Sequence, residues 1–138
     1  MKYRIICLLV LWLLGFDWLS KYLFCDLWIW QNLRLFEPVI NHGISWGISA
    51  NRYVVIIFSL LWLVLFFLLL KRKYLRTSVF VFLLAGTLGN LFDRIFLGGV
   101  RDFISIGSFP VFNLADCYLT IAVILLVVFE LFFDEKKK

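Results

Sequence analysis

Apolar residues dominate four long stretches of this chain, over residues 3–24, 53–70, 78–97 and 112–133, with a longer link of aromatic, β-branched and turn-forming residues after the first and shorter links after the others. Each is close to the roughly 20 residues that an α-helix needs to cross the hydrocarbon core. In lipid only helices and closed barrels satisfy their own backbone, and continuous apolar runs lack the alternation a barrel wall needs. The pattern predicts an all-α polytopic membrane protein: one membrane domain over 1–138 with four transmembrane helices. The 26–52 and 98–111 links are expected to form a small extracytoplasmic cap, extended or sheet-like in part.

Composition agrees with the pattern. The 138 residues are 64% hydrophobic and only 17% charged, with too little polar surface for a soluble domain. The first stretch follows Lys2 and Arg4 but is long for a secretory h-region. No small-residue cleavage site follows it, so it reads as a retained helix. Basic residues set the expected orientation: Lys2, Arg4, the Lys71–Arg72–Lys73 run, Arg76 and Lys136 to Lys138 place both termini and the 71–77 link in the cytoplasm. The net charge of +5 is then ordinary contact with anionic membrane lipid, and no nucleic-acid partner is needed. Cys7, Cys25 and Cys117 form no C-x-x-C pair and read as small apolar fillers.

Against this background the polar residues stand out. Asp17 and Lys21 lie one turn apart near the end of helix one. Asn90, Asp93 and Arg94 end helix three, Asp102 sits in the following link, and Asn113 with Asp116 opens helix four. With the orientation set by loop charge, all of them fall on the outer side. Ionisable groups at membrane depth are costly, so their convergence makes a functional site the default reading. Two N-x-x-D elements, Asn90/Asp93 and Asn113/Asp116, put an amide and a carboxylate on one helical face, where the amide can fix the carboxylate's rotamer. One such pair reads as inter-helix glue. Two pairs, a third aspartate and a lysine favour a site.

Asp17 beside Lys21, and Asp93 beside Arg94, read as paired charges. Asp102 and Asp116 have no comparable partner, and Gly98-Gly99 with the short 100–108 return keeps them close. Two near carboxylates in a low-dielectric site cannot both ionise readily, so one keeps a proton and the pair can act as general acid and general base. A carboxylate-only metal site on Asp93, Asp102 and Asp116 is the weaker reading, because Arg94, Arg101 and Lys21 compete for the same charge. Gly43 to Gly47 spells G-x-S-x-G, but a nucleophile elbow at Ser45 needs a large α/β sheet that this chain has no room for. Gly86-x-x-Gly89 reads as a close helix-packing element. An ion pathway and an assembly partner held by polar contacts are the competing classes; the one-sided clustering of polar residues offers no crossing path.

The motifs D-W-L-S-K, N-H-G-I-S-W-G, A-G-T-L-G-N-L-F-D-R, G-G-V-R-D-F and F-N-L-A-D, taken in this order, resemble bacterial lipoprotein signal peptidase (signal peptidase II) over nearly the whole chain. The resemblance implies an intramembrane aspartyl endopeptidase of the bacterial cytoplasmic (inner) membrane with the dyad Asp102 and Asp116. It acts on diacylglyceryl-modified prolipoproteins and cleaves before the lipidated lipobox cysteine. By the same resemblance Asn41, Gly43, Asn90, Asp93, Arg94, Asn113 and Ala115 bind substrate or support the site, and Asp17 with Lys21 forms a structural pair. It implies no metal and no cofactor, a monomer, a β-cradle with a mobile helix over the site, and inhibition by cyclic peptides of the globomycin type. Arg101 departs from the family pattern, where an apolar residue is common. If residues 100–103 are extended, their side chains alternate and Arg101 points away from Asp102.

Overall fold

The structure, a computed structural model, describes residues 2–27, 35–43 and 51–133. Trp28, Trp30, Ser45 and Trp46, singled out in the expected cap, lie outside the described residues. Helix α1 (Lys2–Lys21) continues into one wider π-helical turn (Tyr22–Asp26). Strand β1 (Phe36–Asn41) precedes α2 (Arg52–Lys71); α3 (Thr77–Phe96), β2 (Val100–Ile104) and α4 (Leu114–Phe133) complete the chain. All four helices are long and apolar enough to cross a membrane. Their ends fall within a few residues of the ends of the four apolar stretches.

Local chemistry sets several of those ends. Asn51 starts α2 by accepting a hydrogen bond from the Tyr53 amide at 2.9 Å. At the end of α3 the Leu97 amide donates to the Asp93 carbonyl, and Gly98 takes a left-handed φ of 77° that lets the chain reverse. Helix four begins two residues later than the pattern predicts, because Asn113 serves as its N-terminal cap: the Asp116 amide donates to Asn113 Oδ1 at 3.1 Å, and the Asn113 amide returns to Asp116 Oδ2 at 3.2 Å.

Helix α3 is the centre of the bundle and packs against α1, α2 and α4, whereas α2 approaches α3 alone among the described helices and strands. The α3–α4 contact is close because α3 offers glycines there. A Cβ on Gly86 would lie 2.6 Å from the Ala115 carbonyl, and one on Gly89 would lie 3.1 Å from Ala115 Cβ and, on the α1 side, 2.6 Å from Asp17 Oδ2. Small residues at a helix crossing maximise dispersion contact where lipid supplies no hydrophobic drive. Toward the other end the core is apolar, built on Ile6, Val10, Val79, Phe80 and Ala122.

The expected cap contains a sheet of two antiparallel strands. Asn41 pairs with Val100, Ile40 with Arg101 and Val39 with Asp102, with an irregularity between Phe36 and Val39. Phe24 of the π turn stacks on Phe36 and Phe103, fixing the sheet to the end of α1. This register carries Asn41 and Asp102 to the mouth of the bundle.

Candidate active site

A buried ionic layer lies beneath the site. Lys21 and Asp17 are both fully buried, one helical turn apart on α1, with Nζ 2.8 Å from Asp17 Oδ2. Lys21 Nζ also reaches Asp93 Oδ2 at 3.3 Å, Asn90 Oδ1 at 3.3 Å and the Gly89 carbonyl at 3.4 Å, so its charge is surrounded by acceptors. The other oxygen of Asp17 accepts the Ala115 amide at 2.9 Å, which places a carboxylate on the N-terminus of α4. The expected structural pair is thus a junction of α1, α3 and α4.

Asp93 does not pair with Arg94, as the sequence suggested. It accepts from Arg101, through the backbone amide at 3.0 Å and the guanidinium at 2.9 Å, and it faces Lys21. Neighbours along a helix point about 100° apart, so Arg94 is turned away from Asp93 and lines the cavity instead, with Nη1 3.5 Å from the Asn90 carbonyl. Strand alternation sends Arg101 away from Asp102, as expected, and its second fork arm meets Asp26 at 2.7 Å.

The amides of the two N-x-x-D elements also bond otherwise than predicted. Asn90 donates across the bundle to Asp116 Oδ1 at 2.8 Å rather than to Asp93 in its own helix. Asn113 Nδ2 donates to Asp102 Oδ1 at 2.6 Å and to Asn90 Oδ1 at 3.1 Å. Asn41 donates to Asp102 Oδ2 at 3.1 Å, while the Gly43 amide holds Asn41 Oδ1 at 2.9 Å and turns its NH2 toward the carboxylate. Asp102 and Asp116 therefore hang from one amide network and share Asn113 as a common neighbour.

Both acids line one cavity of about 260 Å³, together with Asn41, Asn90, Arg94 and Phe112. Asp102 is only 2% exposed. Burial first, and then the charge of Asp116, push its carboxyl up to about 6, against the hydrogen bonds from Asn41 and Asn113 that pull it down. Asp116 is half-buried and also borders a second, larger cavity of about 620 Å³. That cleft runs between α2 and α4 over α3, past Phe58, Trp62, Leu119 and Val123. Thr87, which lines it one turn before Asn90 on the same face, was passed over in the sequence; its i, i+3 spacing from Asn90 was the available signal.

Fold and site together define a polytopic membrane protein that holds two carboxylates at a cavity of about 260 Å³ near one end of an apolar bundle. Known proteins narrow this. A model of the family described as signal peptidase (SPase) II matches residues 9–132. The lipoprotein signal peptidase of Rickettsia canadensis is 36% identical over 97% of this chain and 75% of its own length. That of Pelagibacter ubique is 33% identical over 81% and 73%. A solved bacterial membrane enzyme, determined by the in meso method at 2.3 Å, superposes with a TM-score of 0.79 at 27% identity, covering 98% of this chain and 93% of that one. The chain belongs to the signal peptidase II family and is accordingly a membrane-embedded peptidase that removes signal peptides.

Proposed function

We propose that the protein is an aspartyl endopeptidase that cleaves diacylglyceryl-modified prolipoproteins immediately before the lipidated cysteine, with Asp102 and Asp116 as its catalytic pair. The observation that carries this reading is the pair of acids on one cavity, joined through Asn113 and Asn90. One acid is charged while the other holds a proton; the proton is assigned to Asp102, whose burial favours its neutral form.

Ionised Asp116 removes a proton from water as the water oxygen bonds to the scissile carbonyl carbon; Asp102 gives its proton to the carbonyl oxygen, forming a gem-diol. Collapse returns one hydroxyl proton to Asp102. Asp116 delivers its proton to the amide nitrogen, the C–N bond breaks, and an acid and an amine leave. Asn41, Asn90 and Asn113 hold the carboxylates in place, and Arg94 offers donors to a substrate carbonyl. The α2–α4 cleft suits the apolar part of the substrate, because its walls are mainly apolar and it meets the acids at Asp116. By the loop charges the site faces the extracytoplasmic side of the bacterial cytoplasmic membrane, with both termini inside. Ion transport is disfavoured, since among the described residues the core away from the acids is apolar.

Incubating purified protein with a lipidated prolipoprotein and following the mobility shift on a gel tests the reading. Asp102→Asn and Asp116→Asn should each lower turnover by at least about a thousandfold while the helical circular dichroism is retained. Wild-type turnover by either variant removes that residue from the pair.

A further inference from the structure

The end of the bundle away from the acids carries a separate feature. There α2 turns into α3, and Lys73 takes a left-handed φ of 62°. Two recesses, of about 330 and 480 Å³, meet at this turn and share Leu70, Lys73 and Thr77. The first has an apolar wall of Tyr3, Ile6 and Phe67, with Lys71 at its rim. Helices α1 and α2 each pack on α3 without approaching one another, so this recess lies between two apolar helix faces.

The rim is one-signed among the described residues. Among the described residues no acidic side chain pairs with Lys71, Arg72 or Lys73, and Arg76 lies over the Phe129 ring at 4.2 Å. The α3 N-terminus begins at Thr77 beside the same recess and has no side-chain cap, so its positive dipole end adds to the field. A cationic rim over an apolar wall matches a molecule that is anionic at one end and hydrocarbon at the other.

We propose that this recess binds an anionic glycerophospholipid. The phosphodiester sits between Lys71, Lys73 and the Thr77 hydroxyl, and an acyl chain follows Tyr3, Ile6 and Phe67. The apolar wall favours a lipid over free phosphate, and a rim that is cationic among the described residues disfavours a headgroup that carries its own cation. The site is independent of the peptidase reading.

Full-length protein in mild detergent, titrated with phosphatidylglycerol and read by native mass spectrometry, tests it. One saturable lipid per protein is expected, with phosphatidylcholine at least about tenfold weaker. Each lysine at such a surface contributes about 1 kcal/mol, so Lys73→Gln should weaken binding about fivefold and Lys71→Gln/Lys73→Gln about thirtyfold. Arg72→Gln removes the same charge from outside both recesses and should change binding less than about twofold. Equal weakening by Lys73→Gln and Arg72→Gln would reveal a diffuse field and overturn the proposal. So would equal affinity for phosphatidylcholine, or displacement of the lipid by equimolar inorganic phosphate.

Discussion

Helices α2 and α3 are both 20 residues long, and the more hydrophobic of the two is the less buried. Helix α2 has a mean hydropathy of 3.0 and no buried residue; α3 has 1.6 and ten buried residues. In water this ordering would be inverted. In a bilayer lipid is as apolar as leucine, so hydropathy reports contact with lipid, while small and polar residues mark the protein interior. Gly86, Gly89, Asn90 and Asp93 make α3 the core, and α2 serves as one wall of the cleft.

The largest effect expected on this contrast comes from the ionic layer that α3 buries. Lys21→Met leaves Asp17 without its cation and should cost about 3 to 5 kcal/mol in detergent unfolding, because a buried charge loses its partner. A cost under about 1 kcal/mol would mean that water reaches the layer. The acid held above α3 comes next. With Asp102 raised from 3.8 to about 6, the folded protein keeps a proton that the unfolded chain has released between those pH values. Stability should therefore fall by at most about 3 kcal/mol as pH rises from 4 to 6, and recover on acidification. Asp102→Asn should lack that share of the pH dependence; an identical profile in the variant would assign it elsewhere.

Packing gives the smaller effects. Gly89→Ala forces the new methyl against Asp17 Oδ2 and should cost about 1 to 3 kcal/mol. On α2, Leu61→Ala trims an exposed side chain and should stay within about 0.5 kcal/mol. If both substitutions cost the same, the two helices are equivalent and the contrast fails.

Much of this was legible beforehand. Long apolar runs have one solution in lipid, so the four helices follow from length and composition. The candidate acids follow from their expense at membrane depth, and Arg101's turn away from Asp102 follows from strand alternation. Partner choice was not legible. The i, i+3 spacing puts Asn90 and Asp93 on one face, yet Asn90 donates to Asp116 and Asp93 accepts from Arg101, because α4 brings an acceptor to Asn90 and β2 brings donors to Asp93.

The chain order of apolar and polar residues thus determined that this is a four-helix membrane protein with its acids toward one end. Sequence reaches that far because hydrophobic periods and turn residues act locally. Only the tertiary structure decided which amide holds which carboxylate, that Asp17 and Lys21 join three helices, and that α2 stands apart from α4 to leave a cleft. Those outcomes depend on distances of a few ångströms between segments up to about a hundred residues apart, where Coulomb and hydrogen-bond energies change steeply with separation.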